Sequence, residues 1–394
     1  MSLCGLPRAR DAKQWTAVID ELTARGLLTY RKQLDELRIW EGSDFNVEAA
    51  IYDLLEQSRS PLAEMLAQVH PMKPLVAQRH YIETGTLRYF GQRYVDSLSK
   101  VSGLKCSNDS HDGLIVYWLD STEPESIPKE TADGKPLIWV RVERFNLLRT
   151  RARELQILRE IQKEAPELRS DAVASKEVKY RLVEAERLLD ETVAQAFDWG
   201  TAENGCWANG GTVEVASSRQ FQHLLSGVCD RIYPQGLKLD NELINRRELT
   251  SQGAKARREL IEAMIERGDQ PRLGFVGYGP EVAMYNSVLG ATGIHRDGED
   301  GVGFYPPGAE SGVSSAWEAV EAFCGGAKAE QRSLKLLYEE LAEPPYGIKH
   351  GVIPVILAAV LLYRVDDVGF YKDGTFVPVL GPEHFELLVK DPSR

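Results

Sequence analysis

The side chains best placed to do chemistry are cations gathered around one helix start. Arg246 and Arg247 precede Glu248-Leu249-Thr250-Ser251, and Lys255, Arg257 and Arg258 fall in the first turns beyond it. Thr250 or Ser251 can cap a helix running to Arg267, with Gly268 closing it. Cations at a helix N-terminus oppose the macrodipole, and an arriving anion would relieve that conflict while meeting free N–H groups. These five residues are a candidate nucleic-acid contact; the competing reading is that Glu248, Glu259 and Glu262 simply neutralise them. Arg31 and Lys32, at the tip of an expected hairpin, form a second candidate contact with a phosphate backbone, against a solvated edge kept from aggregating by charge.

Catalytic patterns are sparse. Asp112 and Asp120 bracket the apolar run 113–119, with Asp120 where α/β folds often place catalytic carboxylates; a capping or loop role competes with this. Residues 199–211 are glycine-rich but lack the Gly-Lys-Ser/Thr of a phosphate cradle, and read as a loop. No match to that cradle occurs anywhere in the chain. Leu273-Gly274-Phe275-Val276-Gly277-Tyr278-Gly279-Pro280 departs from the dinucleotide fingerprint and reads as a structural turn before a helix at 281–289. Residues 293–308 do not follow the calcium-loop pattern and read as an exposed linker. The seven histidines include no i, i+4 pair, so neither a metal centre nor a catalytic residue nor a cofactor is assigned.

The elements that would position these residues are predominantly helical. Residues 352–363 are apolar almost without interruption and read as a helix buried on nearly every side, too short for a membrane span, which needs about 20 residues. Alternation around Asp373-Gly374 predicts a hairpin with a type I′ turn directly after it. A helix followed by a hairpin is the second half of a winged helix, and residues 11–40 repeat that pattern. Strand-like runs at 86–95, 113–119 and 137–142 predict a small α/β domain, the last two apolar enough to be covered on both faces. Residues 145–197 predict a long helical hairpin broken at Ala165-Pro166. Arginines crowd its entry from Arg141 to Arg159, as a basic ridge for nucleic acid or an acidic partner, or as a solvated face. The expected class is α+β, predominantly helical, divided at 1–75, 76–142, 143–198, 212–310 and 311–394.

Composition narrows the function. A net charge of −12 over 394 residues argues against a protein that coats nucleic acid non-specifically, yet permits a local basic groove. Five scattered cysteines without a C-x-x-C pair fit reduced thiols in a cytoplasmic protein. The first residues carry no signal-peptide pattern, and no membrane partner is expected. The abrupt start and the short final element at 383–394 lead us to expect a piece of something longer.

Four phrases resemble a known family: Leu27-Leu28-Thr29-Tyr30-Arg31 with Trp40-Glu41-Gly42-Ser43-Asp44; Glu83-Thr84-Gly85-Thr86-Leu87-Arg88-Tyr89-Phe90; Asn241-Glu242-Leu243-Ile244-Asn245-Arg246-Arg247-Glu248-Leu249; and Pro345-Tyr346-Gly347 through Phe376-Val377-Pro378. Together they are similar to the region downstream of the ATPase core in large bacterial P-loop proteins of phage-defence islands, of the BREX-associated kind. Such proteins carry Walker motifs toward the N-terminus, and this chain carries none. The resemblance therefore implies a non-catalytic module in antiviral defence that couples an ATPase to DNA, another nucleic acid or partner subunits, with ATP binding left to a longer parent protein. The alternative is a metal-dependent nuclease-like or nucleotide-binding enzyme using residues 76–142.

Overall fold

The computed structural model describes residues 9–25, 27–31, 36–39, 45–57, 60–101, 103–106, 111–122, 126–169, 171–200, 204–328 and 330–392. In chain order, α1 (Ala9–Ala24) precedes β1 (Leu28–Arg31) and β2 (Glu36–Ile39), then α2 (Val47–Gln57) and α3 (Leu62–Val69). Next come β3 (Leu75–Val76), α4 (Gln78–Thr84), β4 (Tyr89–Val95), β5 (Gly113–Trp118) and β6 (Leu137–Arg141). The helices α5 (Phe145–Glu164) and α6 (Ala172–Ala196) separate these from β7 (Gly205–Ala208), β8 (Gly211–Val213), α7 (Ser218–Ile232) and α8 (Ser251–Glu266). The remainder is α9 (Pro280–Met284), β9 (His295–Gly298), β10 (Gly301–Phe304), α10 (Ser314–Gly326), α11 (Leu334–Ala342), α12 (Ile353–Tyr363), β11 (Phe370–Lys372), β12 (Thr375–Val377) and α13 (Pro382–Lys390). The class is α+β and mostly helical. No helix among the described residues is long and apolar enough to cross a membrane.

The chain divides into two compact units. The first comprises Met1–Pro71, Leu119–Ser121 and Val142–Phe197. Here α5 and α6 pack along one another, and α2 and α3 pack on α5. Leu148, Leu155 and Leu158 of α5 and Val178, Leu182 and Leu189 of α6 are all buried. Leu147 and Val183, on the same two helices, are exposed. The Asp171 carboxylate accepts the N–H groups of Val173 and Ala174 and so caps α6. Part of the arginine ridge is paired within the unit: Arg151 with Glu154 at 3.3 Å and Arg159 with Glu186 at 2.9 Å, while Arg153 donates to the Leu55 carbonyl. In the β1–β2 hairpin Leu28 faces Ile39; residues 32–35 and 40–44, with the expected tip residue Lys32, lie outside the described residues.

The second unit comprises Met72–Trp118, Thr122–Arg141 and Asp198–Arg394. Its sheet runs β3-β4-β5-β6-β7-β8. The strands β4, β5 and β6 are mutually parallel, and the others antiparallel. Every residue of β5 is buried, as its unbroken apolar run requires of a strand covered on both faces. Around α12, buried from Ile353 to Leu361, gather α8, α10, α11 and α13 in one apolar core. The hairpin β11–β12 turns at Asp373 and Gly374, with φ of 49° and 77°. Two expected loops are corrected. Residues 205–213 are the hairpin β7–β8, because Asn209 and Gly210 (φ 55° and 77°) make a type I′ turn that lets it extend the sheet. Residues 295–304 are the hairpin β9–β10, and His295 at its start is buried, held by Tyr285 Oη at 3.0 Å and the Gly268 carbonyl at 2.9 Å.

Candidate anion-binding cavity

A largely buried charged cluster in the second unit joins Arg88, Asp112 and Lys349. Pairing of β4 with β5 in parallel puts Phe90 beside Gly113, so the residues one position earlier, Tyr89 and Asp112, exchange hydrogen bonds. The Tyr89 N–H donates to Asp112 Oδ2 at 3.0 Å, and the Asp112 N–H donates to the Tyr89 carbonyl at 2.7 Å. Arg88 Nη1 donates to Asp112 Oδ1 at 2.9 Å and Nη2 to the Gly347 carbonyl at 2.7 Å, while its guanidinium lies 3.8 Å from the centre of the Tyr233 ring. From the segment leading into α12, Lys349 Nζ donates to both Asp112 oxygens at 3.2 and 3.3 Å. Gly347 is required twice over. Its φ is 58°, and a Cβ there would collide with the Tyr233 ring and Arg88 Nη2.

Two cations thus share one carboxylate. Burial alone would push the Asp112 carboxyl up, but Lys349, Arg88 and the Tyr89 N–H outweigh it and hold the group below the ordinary carboxylate range. For Lys349, burial is the larger effect; Arg88 adds to it, Asp112 only partly opposes it, and the ammonium drops to about 8. The cluster therefore carries surplus positive charge in a low-dielectric setting. Either loss of the Lys349 proton or arrival of an anion relieves it.

The cluster forms part of the wall of a cavity of about 970 Å³. Arg247, Arg257, Tyr338 and His350 line the same space. Arg257 is only 6% exposed and donates Nη1 to the Gly351 carbonyl at 3.3 Å. The Tyr338 hydroxyl, on a side chain 7% exposed, has no hydrogen-bond partner among the described residues, nor has Arg88 Nε. Tyr338 packs edge-on to His350, ring centres 6.2 Å apart. Other acids also reach the wall: Glu343 pairs with Lys135 at 3.4 Å and Glu339 with Lys335 at 3.8 Å, and Asp133, Glu248 and Asp391 line it as well.

Behind the cavity, side chains distant in sequence are clasped together. His80 Nδ1 meets Asp230 Oδ1 at 2.8 Å, and Arg79 pairs with the same carboxylate. Asn245 Nδ2 reaches Thr86 Oγ1 at 2.9 Å and the carbonyls of Gly85 and Leu239 at 3.0 and 3.2 Å. These bonds tie α4, α7 and the approach to α8 to the start of β4 and so fix Arg88.

The residues singled out from sequence are divided by the structure. Thr250 caps α8, accepting the Gly253 N–H at 3.2 Å. Arg247 and Arg257 reach the cavity. Arg246 pairs with Glu242 at 3.0 Å, Lys255 with Glu259 at 3.6 Å and Arg258 with Glu262 at 4.0 Å. Arg31 ends β1, where its backbone faces Glu36. Asp120 belongs to the first unit and Asp112 to the second. Both oxygens of Asp112 are taken up by cations, and among the described residues no group of three or more His, Cys, Asp or Glu side chains is arranged to hold a metal ion. Arg88, Lys349 and Tyr338 were not singled out from the sequence. Comparison with known proteins brings no match, whether to a family model, a curated relative or a solved structure.

Proposed function

We propose that this chain is a non-catalytic binding module of an ATP-dependent phage-defence assembly in the cytoplasm, and that it grips nucleic-acid phosphates at the cavity walled by Arg88, Arg247, Arg257 and Lys349. The observation that carries the reading is the surplus of buried positive charge: two cations on one carboxylate, beside a buried guanidinium whose described hydrogen bond goes to a carbonyl. Such a wall is costly empty and favourable when an anion fills it. The net charge of −12 matches a module that does not coat nucleic acid non-specifically. The helix–hairpin pairs α1 with β1–β2 and α12 with β11–β12 support reading both as winged-helix-like units that place strands or partner subunits for a motor carried on another polypeptide. The four cysteines among the described residues are unbridged, in keeping with a reducing compartment.

The test is binding of a labelled oligonucleotide, single-stranded and duplex, between about 50 and 200 mM salt. Affinity is expected to fall with salt, and Arg247→Ala, at an exposed position, is expected to lower the slope of log K against log salt by about 1. Absence of salt-dependent binding to either form would overturn the reading, as would ATP hydrolysis by the purified chain.

A further inference from the structure

The cavity offers more than diffuse attraction, because some of its donors lie below its surface. Arg257 and Tyr338 are 6% and 7% exposed. Residues 350 and 351 bring them together: Arg257 donates to the Gly351 carbonyl, and Tyr338 packs on His350. The Tyr338 hydroxyl is buried with no partner, and Arg88 Nε on the same wall is likewise unsatisfied. Buried polar groups are rarely left unpaired without a ligand or water to meet them.

We infer that this recess takes a phosphomonoester, that is, a phosphate attached through one oxygen only. The inference rests on the reading that the cavity binds phosphate. An internal phosphodiester is flanked by a sugar on each side, so its oxygens could reach the buried Arg257 and Tyr338 only if both neighbouring nucleosides were buried too. A terminal phosphate has a single attachment and enters end-on. It also carries about −1.5 to −2 charges and three strong acceptor oxygens. That matches the positive surplus of Arg88 and Lys349 over Asp112 and the donor set of a guanidinium fork, a phenol and an ammonium. Ligand cavities run from about 300 to 1,000 Å³, so this one is large enough for the phosphate with its nucleoside. The phosphate has two possible sources, the end of a nucleic-acid strand or a free nucleotide.

The experiment measures the intact chain by fluorescence anisotropy against one oligonucleotide sequence bearing a 5′-phosphate, a 3′-phosphate or hydroxyls at both ends, with a nucleoside monophosphate and inorganic phosphate as competitors. A phosphorylated end is expected to bind at least about tenfold tighter than the hydroxyl form, the yield of one hydrogen bond to a charged group. Tyr338→Phe is expected to cut that preference about tenfold while leaving the thermal midpoint unchanged, since it removes a hydroxyl that bonds to nothing in the fold. Preference for one end identifies the strand terminus as source. Displacement by the nucleoside monophosphate, with no preference between ends, identifies a free nucleotide. Equal binding of all three oligonucleotides with no effect of either competitor overturns the inference and leaves salt-dependent backbone binding standing. Binding of phosphorylated ends alone, with none of the hydroxyl form at low salt, supports the inference and removes the backbone reading. A Tyr338→Phe protein with full end preference would also overturn it.

Discussion

Lys349 Nζ lies within 3.3 Å of both carboxylate oxygens of Asp112, a residue 237 positions earlier in the chain. The contact pins the segment that enters the buried helix α12 to the start of the buried strand β5, and it does so inside the wall of the cavity. A contact with this reach couples the integrity of the core to the charge state of the site, so the two can be probed together.

Removing the carboxylate isolates the surplus charge. Asp112→Asn leaves Arg88 and Lys349 facing each other without a counter-ion, and loss of one partner from a buried ionic cluster costs roughly 3 to 5 kcal/mol. Chemical denaturation is expected to show that loss, with part of it recovered in phosphate buffer. A variant as stable as the parent would mean the cluster is better solvated than its burial implies.

The pH dependence of Lys349 has a definite sign. Its folded value of about 8 is below the ordinary 10.5, so between these the unfolded chain holds more of this proton than the folded one. Stability from this group therefore rises with pH across that window: the burial cost is complete below about pH 8 and gone above 10.5. The stability of the parent relative to Lys349→Met is expected to increase from pH 8 to 10. A flat or falling difference contradicts the assignment.

At Gly347 the backbone itself is tested. Gly347→Ala forces a side chain onto a left-handed residue and against Tyr233 and Arg88. The expected cost is roughly 2 kcal/mol or more, read from the denaturation midpoint. Because Arg88 loses its seat, phosphate affinity should fall as well.

The cations of α8 separate by burial. Lys255 and Arg258 are exposed and paired one turn on with Glu259 and Glu262. Exposed pairs of this kind contribute about 0.3 to 0.5 kcal/mol. Replacing both by alanine is expected to shift stability by less than about 1 kcal/mol and to alter the salt dependence of binding less than Arg247→Ala alone.

Much of the fold was legible because local rules decided it. The unbroken apolar runs of β5, β6 and α12 require cover on every side, Thr250 caps α8, and Asp373-Gly374 makes the turn it ordinarily makes. The hairpin β7–β8 carried an equally plain signal in Asn209-Gly210, obscured by the glycines around it. Arg257 was legible in part. It stands three, four and seven positions before Leu260, Ile261 and Met264, all buried, so helical spacing places it on the inward face rather than on a solvated one. The trio Arg88, Asp112 and Lys349 was not legible, nor was the pairing of His80 with Asp230. Each joins segments whose meeting is a property of tertiary packing, and periodicity holds no record of it.

The strands β6 and β7 are neighbours in the sheet, with Arg141 directly opposite Gly205, yet the polypeptide travels through α5 and α6 between them. Opposed residues of antiparallel strands sit only about 5 Å apart, so a tight turn would bridge the gap that more than sixty residues now span. The helical excursion is thus an insertion between adjacent strands, and any change in its chemistry must be met by α2 and α3, which pack on α5 from far earlier in the chain.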